Sequence, residues 1–161
     1  MSSFLAVLTP VHVVLSLIGI LTGLVVVFGL LTSELLGGWT KIFLWTTLLT
    51  SLTGFLFPIH KLTPGLVFGI LSLIALAFAW IGRYRRHLAG HWRATYAVTA
   101  IIALYLNTFI LIVQLYEKVP ALRALAPTQS EPPFKFTQLV ALIVFFILAV
   151  LAPVKFHPAH T

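Results

Sequence analysis

Cysteine is absent from the 161 residues, only three residues are acidic, and charged residues of both signs together make up 8% of the chain. Without cysteine there is no disulfide, no thiolate metal site and no thiol nucleophile. A soluble domain carries about 25% charged residues, so a chain with 8% is not an ordinary water-soluble globule. The three acids, Glu34, Glu117 and Glu131, all fall between apolar stretches, which argues against a proton path built on a carboxylate inside a membrane span. Catalytic signatures are missing as well: there is no G-x-S-x-G elbow, no H-E-x-x-H and no glycine-rich phosphate loop with its lysine.

What the chain does have is apolar length. Hydrophobic residues reach 60%, and five stretches contain no Asp, Glu, Lys or Arg: 1–33, 42–60, 62–82, 94–116 and 136–154. A helix crosses a bilayer core with roughly 20 residues and satisfies its own backbone there. The expected fold is therefore an all-α integral membrane protein, one domain of five transmembrane helices over about 10–31, 42–58, 64–82, 94–116 and 136–153. The first stretch lacks a basic n-region and a small-residue cleavage site, so it reads as a mature span. Thr9–Pro10 and Thr63–Pro64 each place a capping hydroxyl before a proline suited to the first helical position.

The connection 118–135 contains Pro120, Pro127, Pro132 and Pro133, which predicts an outer-face loop that is not helical throughout. Its apolar Val119, Leu122, Leu125 and Phe134 predict that it lies back as a lid over Gln114 and Glu117. Six basic residues (Lys41, Arg83, Arg85, Arg86, Arg93, Lys155) share one face and four (Lys61, Lys118, Arg123, Lys135) the other. By the positive-inside rule the N-terminus is outside and the C-terminus cytoplasmic. The four tryptophans, Trp39, Trp45, Trp80 and Trp92, fall on the face with more arginine. A net charge of +7 confined to the ends of spans suits anionic lipid headgroups rather than nucleic acid.

Polar residues inside the spans are few and patterned. His12, Ser16, Gly19 and Gly23 share one face of the first span, and Asn107 and Gln114 share one face of the fourth. Gly19 and Gly23 read as close-packing positions. His12, His60, Gln114 and Glu117 fall at one membrane level, with Thr128, Gln129, Ser130 and Glu131 near it. Together with Asn107 they form the candidate cofactor-binding set, a pocket suited to a quinone headgroup, a lipid headgroup, a metal or haem b. Interhelical hydrogen bonding is the competing account of the same residues. No catalytic residue and no metal site is assigned, and no motif specifies a cofactor.

The stretches Thr53–His60, Tyr105–Phe109 and Lys118–Phe134 resemble those of a family of small uncharacterised bacterial multi-pass membrane proteins, over nearly the whole chain. The resemblance implies a bacterial inner membrane and joins His60, Asn107 and the lid segment into one neighbourhood; it implies no activity. The expected function is a non-catalytic accessory or scaffold subunit of a larger membrane complex. The alternative is a small redox-linked module holding a quinone, lipid or haem b at an outer-face pocket.

Overall fold

The structure, a computed structural model, describes residues 2–58 and 63–159, and every regular element among them is helical. His60 lies outside the described residues. The helices are α1 (Ser2–Thr32), α2 (Gly37–Gly54), α3 (Pro64–Trp80), α4 (His91–Lys118), α5 (Pro120–Leu125) and α6 (Pro132–Lys155). A π-helical turn, Ile81–Arg85, continues α3. Four helical segments among the described residues are long and apolar enough to cross a membrane: Ser3–Thr32, Pro64–Arg85, His91–Lys118 and Pro132–Lys155. With 18 residues α2 is long enough, but it carries five threonines and Lys41 and is not among these four.

Several boundaries differ from the sequence expectation, for identifiable reasons. Thr9–Pro10 does not start α1; the helix runs from Ser2 through Pro10, forgoing the one i→i−4 bond that Pro10 cannot donate, because the apolar chain before it continues the helix. Thr63–Pro64 behaves as expected, with the Leu66 amide donating to Thr63 Oγ1 at 3.3 Å. The second helix closes at Gly54 instead of residue 58. Its last turn tightens through Phe55 N–H to Leu52 O and Leu56 N–H to Thr53 O, ahead of Pro58, which disfavours helical geometry at Phe57.

The segment 118–135 is not a loop throughout. Pro120 sits at the start of α5 and the pair Pro132–Pro133 at the start of α6, where a missing N–H breaks no helical bond. The non-helical remainder, 126–131, is tethered: Gln129 Nε2 donates to the Val113 carbonyl at 3.0 Å, and Ala126 is fully buried. Leu125, expected to pack the lid, is 57% exposed. Phe134 packs edge-on against Tyr116, with ring centroids 5.3 Å apart.

In cross-section α1, α2, α3 and α4 form a ring in chain order, and α6 packs outside it against α4 and α1. One half of this bundle is tightly filled. Leu30, Phe43, Leu44, Leu76, Ala79, Tyr96, Ala97, Ile101 and Leu104 interlock there, with Ala152 and Phe156 of α6 completing the core. Gly23 makes the close approach possible: a Cβ at this position would lie 2.6 Å from Leu104 Cδ1 and 2.9 Å from Phe43 Cε2. The other half, bounded by the start of α1, the end of α2, the start of α3 and the end of α4, is hollow.

Candidate functional site

The hollow half is a cavity of about 640 Å³ on the axis of the ring. It arises because α1 and α3, on opposite sides of the ring, form no packed pair, and because serines, threonines and glycines occupy many of the inward positions. On α2 the inward stripe is Thr47, Thr50, Ser51 and Gly54; on α3 it is Gly65, Gly69 and Ser72. Eleven residues separate Asn107 at the floor from Lys118 at the mouth, or about 16 Å along a helix. The walls between are apolar and aromatic, with Phe57, Phe68, Leu106 and Ile110 among them.

His12, Asn107, Gln114 and Glu117 all line this one cavity. Four of the five candidate residues thus converge, and the fifth, His60, is outside the described residues. Ser16, from the α1 stripe, ties the floor together: its hydroxyl donates to Asn107 Oδ1 at 2.8 Å, and Asn107 Nδ2 reaches the Ser16 carbonyl at 3.4 Å. Gly19 leaves room for this pair. A Cβ there would lie 3.1 Å from Thr47 Oγ1 and 3.3 Å from Asn107 Nδ2. Higher up, His12 Nδ1 is 2.9 Å from Thr53 Oγ1, and the imidazole stands edge-on to Phe57 at 5.3 Å between centroids.

Thr50 and Ser51 donate their hydroxyl protons back to the carbonyls of Thr46 and Thr47, a common arrangement in helices. Thr47 is different. It is 1% exposed, lines the cavity, and its hydroxyl has no hydrogen-bond partner among the described residues. A buried hydroxyl left unpaired costs about 1–3 kcal/mol, so the floor of the cavity holds unspent hydrogen-bonding capacity. Sequence reading missed Thr47, Thr50, Ser51 and Ser72. The three on α2 were legible as a helical stripe at i, i+3 and i+4 that ends on Gly54, whereas Ser72 carries no pattern of its own.

The lid does not cover this site. None of the described residues from Pro120 to Phe134 lines the cavity, whose mouth carries Thr9, Glu117, Lys118 and Val119. The segment instead borders a second, shallow recess formed by Tyr116, Glu117, Lys118, Arg123, Pro127, Thr128 and Gln129. There Glu131 accepts hydrogen bonds from the Thr128 hydroxyl and from the Thr128 and Ser130 amides. These bonds, the Thr128 hydroxyl first, hold its carboxyl below the ordinary carboxylate value. No family model, no curated protein and no solved structure matches this chain. No group of three or more His, Asp or Glu side chains among the described residues is placed to share a metal ion.

Proposed function

We propose that the protein spans a bacterial inner membrane, with α2 as its fifth crossing, and binds an amphipathic small molecule of the quinone class in the hollow half of its bundle. The observation that supports this is the convergence of His12, Ser16, Asn107 and Gln114 from two helices inside one cavity with aromatic walls. A ligand pocket is mostly apolar, with a few placed polar groups that fix orientation. The cavity has this character, and in the proposed membrane placement it runs inward from one interface, a depth that a quinone ring reaches when its isoprenoid tail lies in lipid. Val13 and Leu17 of α1 line it and are each 41% exposed, giving the tail an apolar way out. The greater basic charge of the opposite end puts that end in the cytoplasm and the cavity mouth on the outer face.

Organic extraction of the purified chain followed by mass analysis tests the reading. The expected result is a stoichiometric isoprenoid quinone, with occupancy reduced about tenfold in Asn107→Leu, where a paired polar group is lost. Extraction of bulk phospholipid alone overturns it. A visible Soret band that disappears in His12→Ala assigns the cavity to haem b instead.

The accessory-subunit reading rests on a different feature. The outward face of α6, including Phe136, Phe146, Val150 and Val154, is exposed along its length, a surface that lipid or a neighbouring subunit covers equally well. Purification in mild detergent at native expression separates the two: a larger complex supports the subunit, and a protein that runs alone removes it.

A further inference from the structure

The polarity of the cavity is directional, and the direction is set by a residue outside it. Thr53 Oγ1 lies 2.8 Å from the Leu49 carbonyl and 3.1 Å from the Thr50 carbonyl, and donates its single proton to them. With that proton on a backbone carbonyl, the contact with His12 Nδ1 at 2.9 Å is a hydrogen bond only if the ring nitrogen is the donor. The hydroxyl oxygen accepts, and the imidazole carries its proton on Nδ1. In an uncharged ring Nε2 is then a bare lone pair, and among the described residues no side chain donates to it. Asn107 is fixed in the complementary sense. Its Oδ1 is occupied by the Ser16 hydroxyl, which leaves Nδ2 as the group with capacity to spare, since its only contact is the long 3.4 Å one to the Ser16 carbonyl.

Resting on the quinone-class reading above, we infer that the site is selective for the hydroxyl-bearing, reduced form of its ligand, with His12 Nε2 accepting a hydrogen bond from a quinol hydroxyl and Thr53 setting the tautomer that allows it. A quinone carbonyl has no proton to give to Nε2 and leaves that lone pair unpaired against an acceptor. A quinol hydroxyl donates to Nε2 while its ring oxygens still accept from the amides of Asn107 and Gln114. Thr53 is a positioning residue, since it does not line the cavity and acts only through the imidazole.

The experiment uses the full chain in lipid nanodiscs, with a benzoquinone bearing one isoprene unit and the same compound reduced to its quinol under anaerobic conditions. The expected result is quinol binding about tenfold tighter than quinone, the size of one buried hydrogen bond made or lost. Thr53→Val is expected to bring the ratio close to one without lowering the thermal midpoint by more than a few degrees, and Thr53→Ser to retain it. Histidine ¹⁵N spectra, with the His12 signals assigned from their loss in His12→Gln, read the tautomer directly: a protonated Nδ1 and an unprotonated Nε2 are expected. Equal or tighter binding of the quinone, a proton on Nε2, or an unchanged ratio in Thr53→Val overturns the selectivity and leaves the quinone cavity standing. Failure of both forms to bind overturns the selectivity and the quinone reading together.

Discussion

At the scale of single residues, the two halves of the bundle place opposite demands on glycine. Gly23 lies in the filled half, where its missing Cβ is what lets α1 meet Leu104 and Phe43, both buried to within 1%. Adding a methyl group there overpacks a core that has no slack, so Gly23→Ala is expected to destabilise by about 1–3 kcal/mol. Gly38, near the start of α2, has none of the described residues within 4 Å of a would-be Cβ, and Gly38→Ala is expected to be neutral or to stabilise by up to about 1 kcal/mol through helix propensity. Thermal midpoints of the two variants in the same detergent check the contrast, and equal midpoints would show that the filled half is less tightly packed than its distances indicate. Gly19 stands between these cases. Its substitution presses on the polar atoms of Thr47 and Asn107 rather than on the hydrocarbon core, so its effect belongs to the floor of the cavity.

At the scale of elements, the segment between α4 and α6 is held by local polar bonds. The Glu131 carboxylate closes the turn 128–131 through the Thr128 hydroxyl and two amides, and its pKa is lowered in consequence. A group whose folded pKa is depressed contributes stability above its unfolded pKa, and that contribution is lost as pH falls through the folded value. Order in 126–131 is therefore expected to decline on acidification below the ordinary carboxylate range, and in Glu131→Gln to be lower at neutral pH and insensitive to pH. Hydrogen-exchange protection of the Thr128 and Ser130 amides, corrected for the intrinsic pH dependence of exchange, measures this; a wild-type profile that is flat with pH contradicts it. The same segment shows what the sequence could and could not convey. Charge-free length revealed the long helices, but ends assigned from the nearest charge were wrong wherever proline began a helix inside the supposed loop, as at Pro120 and Pro132. The Thr63–Pro64 cap was readable because hydroxyl and proline act within one turn. Thr9–Pro10 has the same local pattern, and what differs is the apolar chain before it, which continues the helix.

At the scale of the whole molecule, the residue set His12, Asn107, Gln114 and Glu117 was legible because helical spacing and membrane level are one-dimensional quantities. The cavity they line was not, since it depends on how far α1 and α3 stand apart, and no residue pattern encodes that separation by itself. Sidedness falls between the two. The connections 33–36 and 81–90 and residues 156–159 share the filled end, where the Ser33 hydroxyl donates to the Lys155 carbonyl and accepts from the His157 amide. Two of the four arginines at this end are held against aromatic rings: Arg83 lies 5.9 Å from the centroids of Tyr84 and Tyr96, and Arg86 lies 5.4 Å from that of Trp92. Basic and aromatic groups clustered in this way anchor a bundle at one headgroup layer. The proposed orientation then makes a specific demand on α4, which carries Gly90 at its filled end and leads to Gln129 at the open end. Alkaline phosphatase fused after Gln129 is expected to be active and fused after Gly90 inactive, with fluorescent-protein fusions giving the reverse. The opposite pair of results inverts the molecule and turns the cavity mouth to the cytoplasm, and phosphatase activity at both positions means that α4 does not cross, which removes the membrane-depth argument for the ligand altogether.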